Sequence, residues 1–199
     1  MAAISPDPFI DVATTLSALG YRQGENDLRG RWALRNRWNI PGPIYVGDDD
    51  ACGTGPMEAP NNVILVSATD EHYLGRDSAG GEFVFRQPTL GYELRQVLRA
   101  AEVNAVCAYG IDGNMHWNRR EVVHWWQEIK ELRETVRRNL DAWIQKRQVA
   151  NGADTDRPSA ELWRWIVYLE SDAELYLAQY CYFLEVGSVP GPESALPEL

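Results

Sequence analysis

The sequence predicts an α+β fold in which a small, mostly antiparallel sheet from the N-terminal half packs against three C-terminal helices, one of them long and amphipathic. Three observations predict it. Apolar spacing changes from a period of two to spacings of three and four near residue 110. Before that point, short apolar runs are separated by turns rich in Gly and Pro. The apolar share of 45% beside 24% charge, over 199 residues, suits a folded unit that buries a core without disulfides or metals. The expected layout is a single domain with a sheet-rich half over 1–110, a helical half over 111–186 and an extended tail over 187–199.

Taken in order, Phe9, Val12, Ala13, Leu16 and Leu19 fall at helical spacing and Gly20 closes the run, which predicts a short helix or ordered arm. From Tyr21 to Arg37, apolar even positions (Leu28, Trp32, Leu34, then Trp38) alternate with Arg31, Arg35 and Arg37, the period of a strand. The segment 39–43 is a turn-rich break, Ile44-Tyr45-Val46 a short apolar run, and 47–62 a long irregular loop in which Pro56 and Pro60 discourage a helix. Val63–Val66 reads as a buried strand that pairs antiparallel with Glu82–Arg86, whose side chains should alternate between core and solvent. Thr89 is placed to cap a helix presenting Leu94, Val97, Leu98 and Ala101 on one face, and Ala105–Tyr109 reads as a further short strand.

The helical half is more regular. Asn118 stands three residues before Glu121, a capping arrangement. Behind it a helix over approximately 119–148 carries Val122, Trp125, Trp126, Ile129, Leu132, Val136, Leu140, Trp143 and Ile144 on its packed face. Glu134 and Arg138 on the wet face stand at the spacing of an ion pair. Ser159 should cap a second, mostly buried helix, and a third runs from Ser171-Asp172 to about Glu185 before a tail punctuated by Pro190, Pro192 and Pro197.

The net charge of −10 is shared evenly between the halves, with no basic tail. A protein that neutralises nucleic-acid phosphates needs a locally positive face, so nucleic-acid binding is not expected, although local clusters such as Arg29, Arg31, Arg35 and Arg37 stand against that. Acidity suits solubility and a basic protein partner. Cys52, Cys107 and Cys181 are far apart, which fits a reducing compartment. No basic segment followed by an apolar run opens the chain, and no stretch reaches the roughly 18 apolar residues of a membrane span, so a cytoplasmic, non-membrane protein is expected.

No motif carries a chemistry outright. Asp48, Asp50 and Gly53 match the opening of a calcium loop, but Cys52 and Ala59 occupy positions that need oxygen ligands, so no metal site is expected and the segment reads as an acidic turn. Gly53-Thr54-Gly55 lacks the Lys-Ser/Thr ending of a phosphate loop, and no cofactor is expected. Cys52 before Gly-Thr-Gly is a candidate nucleophile, with His72, His116 or His124 as a base, although the carboxylates of Asp48, Asp49 and Asp50 oppose a thiolate. Asp112 and His116 flank a turn and offer a carboxylate–imidazole pair; they also read as a turn former and a residue ahead of a helix cap. His124, beside Trp125, reads as a core-edge residue.

Eight tryptophans, several beside arginines, have the composition of recognition surfaces. The expected function is therefore a non-enzymatic protein-binding factor of inhibitor, immunity or accessory type. Its recognition surface is expected to draw on Trp32, Arg37, Trp38, Asp48, Asp49, Arg86 and Trp117. The alternative is a small hydrolase or transferase acting from the 47–62 loop through Cys52 or the pair Asp50 and Asp112, with His116 a further catalytic candidate.

Overall fold

A computed structural model describes residues 12–25, 27–47, 52–66, 70, 73–74, 81–149 and 158–199, apart from the side chains of 13, 14 and 146–149. The described elements are α1 (Val12–Ala18), β1 (Tyr45–Val46), α2 (Thr54–Glu58), β2 (Val63–Val66), β3 (Gly81–Val84), α3 (Gly91–Val103), β4 (Tyr109–Gly110), α4 (Arg119–Val149), α5 (Ala160–Ser171) and α6 (Ala173–Val186). The fold is α+β: two antiparallel strand pairs, β1 with β4 and β2 with β3, set among helices of which α4 is the longest.

The β2–β3 pair has the register Val63↔Val84 to Val66↔Gly81. All four β3 residues are buried, so the expected alternation in this strand does not occur. The reason is that both faces are covered. Phe83 packs edge-on against Trp165 of α5 at 5.1 Å, while Glu82, on the other face, accepts a hydrogen bond from the Gly55 N–H of α2.

Two buried side chains knit the strand pairs together. The Asn39 amide donates to the carbonyls of Val46 and Asn36 and its oxygen accepts from the N–H groups of Val46 and Val84 at 2.6–3.0 Å, which uses all four of its hydrogen-bonding positions. Gln87 accepts from the Ile44 N–H and donates to the Ile40 and Ile44 carbonyls. Each amide supplies backbone partners that a continuous sheet would have supplied, so the buried polar groups are met without one.

Several expectations are corrected. Among its described residues Tyr21–Arg37 is not a strand: they make one bridge, Leu28↔Ala108, and then a 3₁₀ turn at Trp32–Leu34. Local bonds close that turn, from the Leu34 N–H to the Arg31 carbonyl and from the Arg35 N–H to the Trp32 carbonyl, and a second bend follows, where the Asn36 side chain accepts from the Trp38 N–H at 3.0 Å and its carbonyl from Asn39. The strand expected over Ala105–Tyr109 shrinks because Cys107 sits at φ 53, a left-handed conformation that no strand residue adopts. The 47–62 loop contains α2 despite Pro56, because a proline in the first turn gives up an N–H that has no helical partner.

Thr89 is not the cap of α3. Leu90 takes that position, and the Glu93 carboxylate reaches back to the Thr89 N–H and hydroxyl at 2.9 and 3.2 Å. His124 is exposed rather than at the core edge, 3.6 Å from Glu128. Glu134 pairs with Arg133, while Arg138 bonds the Glu134 carbonyl, so the expected Glu134–Arg138 ion pair is not formed.

The caps expected at the starts of α4 and α5 are formed. Asn118 accepts from the Glu121 N–H at 3.1 Å and Ser159 from Leu162 at 3.0 Å. Helix α4 buries Val122, Trp125, Trp126, Ile129, Val136 and Leu140, and together with α5 and α6 it contributes to one contiguous apolar cluster that includes both strand pairs. Residues 187–199 form no helix or strand; Val189 and Leu199 pack on that cluster, and Arg119 holds Glu185 and the Glu198 carbonyl. No described helix is long and apolar enough to cross a membrane.

Candidate functional site

The β1–β4 ladder divides the candidates. Tyr45 stands opposite Gly110 and Val46 opposite Tyr109. Directly opposed residues share a face of a strand pair and successive residues alternate, so the Tyr45 and Tyr109 side chains point to opposite faces.

On the first face, Gly110 makes room for the Tyr45 ring, since a Cβ there would collide with it. The Tyr45 hydroxyl lies 2.8 Å from Asp112 Oδ1 and 3.1 Å from the Gly30 carbonyl. The second carboxylate oxygen of Asp112 is 3.1 Å from His116 Nε2. A 3₁₀ turn at Gly113–Met115 joins these two residues, which is how a spacing of four brings their side chains together. The His116 ring stacks on Trp32 at 4.7 Å with planes 13° apart, and Trp32 meets Tyr45 and Trp117 edge-on at 5.4 and 5.1 Å.

Arg35 completes the group. Its guanidinium lies 3.8 Å from the Trp32 ring centre and 5.3 Å from that of Trp117, and it donates to the Trp32 carbonyl. Burial lowers the Arg35 pKa, opposed by the negative charge of Glu121 and by Tyr45. Burial likewise pushes the Tyr45 phenol up, reinforced by its hydrogen bond to Asp112 and that carboxylate's charge, while Arg35 pulls it back. The cluster is therefore a stack of side chains fixed in place, with Trp32, Asp112 and His116 partly open to solvent. The same two turns carry Leu34, 41% exposed, and Met115, 84% exposed.

On the second face, the Tyr109 hydroxyl is 3.4 Å from Glu82, a carboxylate with no exposure. Gly55 is packed so closely on Glu82 and Tyr109 that any side chain would clash. Cys52 lies just before α2, exposed, its sulfur 3.2 Å from the Thr54 hydroxyl. Gly53 lies against Leu65, the cross-strand partner of Glu82, which keeps this segment on the Glu82 side. Cys52 and His116 are thus attached to opposite faces of the ladder, and His116 makes its hydrogen bond to Asp112.

The expected site residues are distributed accordingly. Asp112 and His116 come together, as do Trp32 and Trp117. Arg37 and Trp38 form a separate contact, with the guanidinium 4.1 Å from the ring centre, next to Trp125, whose indole N–H donates to the Arg37 carbonyl at 2.8 Å. Trp38 and Trp117 are buried. Arg86 lies apart, paired with the buried Glu93. Asp48, Asp49, Asp50 and His72 fall outside the described residues.

Tyr45, Arg35, Leu34 and Met115 were not marked as site residues by sequence. Arg35 carried a signal as one of the clustered arginines; Tyr45 carried none, because its partner is 67 positions away. Among the described residues no group of three His, Cys, Asp or Glu side chains is arranged to hold a metal ion. No protein-family model, curated protein or solved structure matches the chain.

Proposed function

We propose that the protein is a non-enzymatic binding factor of inhibitor, immunity or accessory type, acting in the cytoplasm, whose recognition surface is the patch formed by the Trp32–Leu34 and Gly113–Met115 turns. The observation that carries this reading is the mounting of Trp32 beneath Arg35 and against His116, on turns that also expose Leu34 and Met115. Trp, Arg and Met are enriched at protein interfaces, and side chains already held in one geometry lose little entropy on binding. The net charge of −10 favours a basic protein as the partner.

The test is affinity purification of the tagged chain from its native host with chemical cross-linking. A stoichiometric partner cross-linked through the patch, retained by the wild type and lost with Met115→Glu, supports the reading. A partner bound equally by both proteins sinks it.

A second reading rests on the 3.1 Å Asp112–His116 contact. A carboxylate that orients an imidazole is half of a general-base arrangement, so a small hydrolase or transferase using His116 as base is the alternative. Turnover abolished by both His116→Gln and Asp112→Asn would move the function to it. The version with Cys52 as nucleophile and His116 as its base has the ladder geometry against it.

A further inference from the structure

Away from this patch, a groove of about 380 Å³ runs between the end of β3 and α5. Phe85 and Tyr168 meet there edge-on at 5.8 Å, and Trp163 and Val167 add apolar surface, Val167 being exposed. Arg164 and Tyr168 are four residues apart on α5 and so share one face of the helix. The Arg164 guanidinium lies 5.3 Å from the Phe85 ring centre. Arg86 approaches from the strand side, its Nη2 committed to Glu93 and its Nε to the Asn61 carbonyl at 3.0 Å, which leaves Nη1.

Two groups here have no partner among the described residues. Arg164 makes no ion pair or hydrogen bond beyond its contact with Phe85. Tyr168 is only 7% exposed, yet its hydroxyl donates to nothing. Burial pushes the Tyr168 phenol up, while the Arg86 guanidinium pulls it down and Asp172 pushes it further up; both of these charged residues line the same groove as Tyr168. What little of Tyr168 is exposed includes its hydroxyl, which therefore opens on the groove, where it is free to meet a ligand.

We propose that this groove binds a small organic anion. Its carboxylate or phosphate head takes Arg164, the Tyr168 O–H and Arg86 Nη1, and its apolar or aromatic body lies against Phe85, Trp163 and Val167. Guanidinium groups match the geometry of both heads and give up their hydration readily. Asp172, one helical turn beyond Tyr168, repels a second anionic group, so the ligand carries one anionic head rather than a chain of them. The groove does not depend on the protein-recognition patch.

Calorimetric titration of the intact chain with phenyl phosphate and with benzoate tests the proposal. Saturable one-site binding of at least one probe is expected, and whichever binds more tightly identifies the head group. Arg164→Gln and Tyr168→Phe should each weaken it roughly tenfold or more, while Tyr168→Phe melts no lower than the wild type. Met115→Glu should leave it unchanged, so the groove and the patch are judged separately. Saturable binding of neither probe, or binding at wild-type strength in both groove variants, overturns the proposal.

Discussion

On one face of the β1–β4 pair, Tyr45 reaches a partly exposed carboxylate that in turn holds an imidazole; on the other, one residue along, Tyr109 reaches a carboxylate with no exposure at all. The chemistry is the same, a phenol beside an acid. The surroundings differ. Asp112 sits on a turn with solvent beyond it, whereas Glu82 is enclosed by α2 and accepts a helix N–H. The comparison separates a polar pair that holds the fold together from one that mounts a surface, and it orders the effects of mutation.

The largest effect belongs to the closed face. Glu82→Ala removes the acceptor of the Gly55 N–H and opens a cavity beside Tyr109, so we expect a loss of about 3 kcal/mol in urea unfolding. A loss below about 1 kcal/mol would mean that the enclosure relaxes freely and that the contrast between the faces is false. Next comes Gly110→Ala, which drives a methyl group into the Tyr45 ring; overpacking of this kind costs about 2 kcal/mol. That variant should also pull Tyr45 away from Asp112, visible as a shift of the His116 ring resonances. An unshifted His116 would show that the ladder does not position the open face.

Tyr45→Phe sharpens the comparison further. It takes one donor from Asp112, which keeps His116, and one from the Gly30 carbonyl, which keeps the Gln23 amide, at an expected cost of about 1 kcal/mol. It also has a pH signature. Burial raises the Tyr45 phenol above its ordinary value of 10.0, so below pH 10 both states keep the proton and stability is intact. Above it the unfolded chain releases the proton first, binds fewer protons than the native state, and stability falls by up to about 1.4 kcal/mol per pH unit for each such tyrosine. Tyr168, Tyr176 and Tyr180 are shifted in the same direction by burial, so Tyr45→Phe should reduce the alkaline slope of the melting temperature without removing it. An unchanged slope would argue that Tyr45 is not buried against Asp112.

The helical half was legible because its signals are local. Asn118 and Ser159 cap the helices they precede, and the spacing from Val122 to Leu140 marks the buried face of α4. Asp112 and His116 were legible as a pair for the same reason. What escaped was set by partners distant in sequence. Period two from Leu28 to Trp38 imitates a strand, but the side chains of Asn36 and Asn39 turn the backbone instead. Glu82 stands where a strand's polar face should meet water, and only the folded position of α2 explains its burial. Trp38 and Trp117 have the composition of a binding surface, yet they are covered, because composition does not say which face of a tryptophan the rest of the chain will meet.

The smallest effect on stability is the one that best divides the two faces by role. Met115 is 84% exposed, so Met115→Glu removes little packing and should change the unfolding free energy by no more than about 0.5 kcal/mol. At a protein interface the same change places an unpaired charge against an apolar partner surface, and that costs far more than the methionine contacts themselves. Stability and binding should therefore separate completely at this position, whereas at Glu82 they should fall together because the fold fails first. Melting curves beside a pull-down of the cross-linked partner measure both quantities on the same samples. A Met115→Glu protein that melts normally and still holds its partner would move recognition off the two turns, leaving the Trp32–His116 stack as packing that happens to lie near the surface.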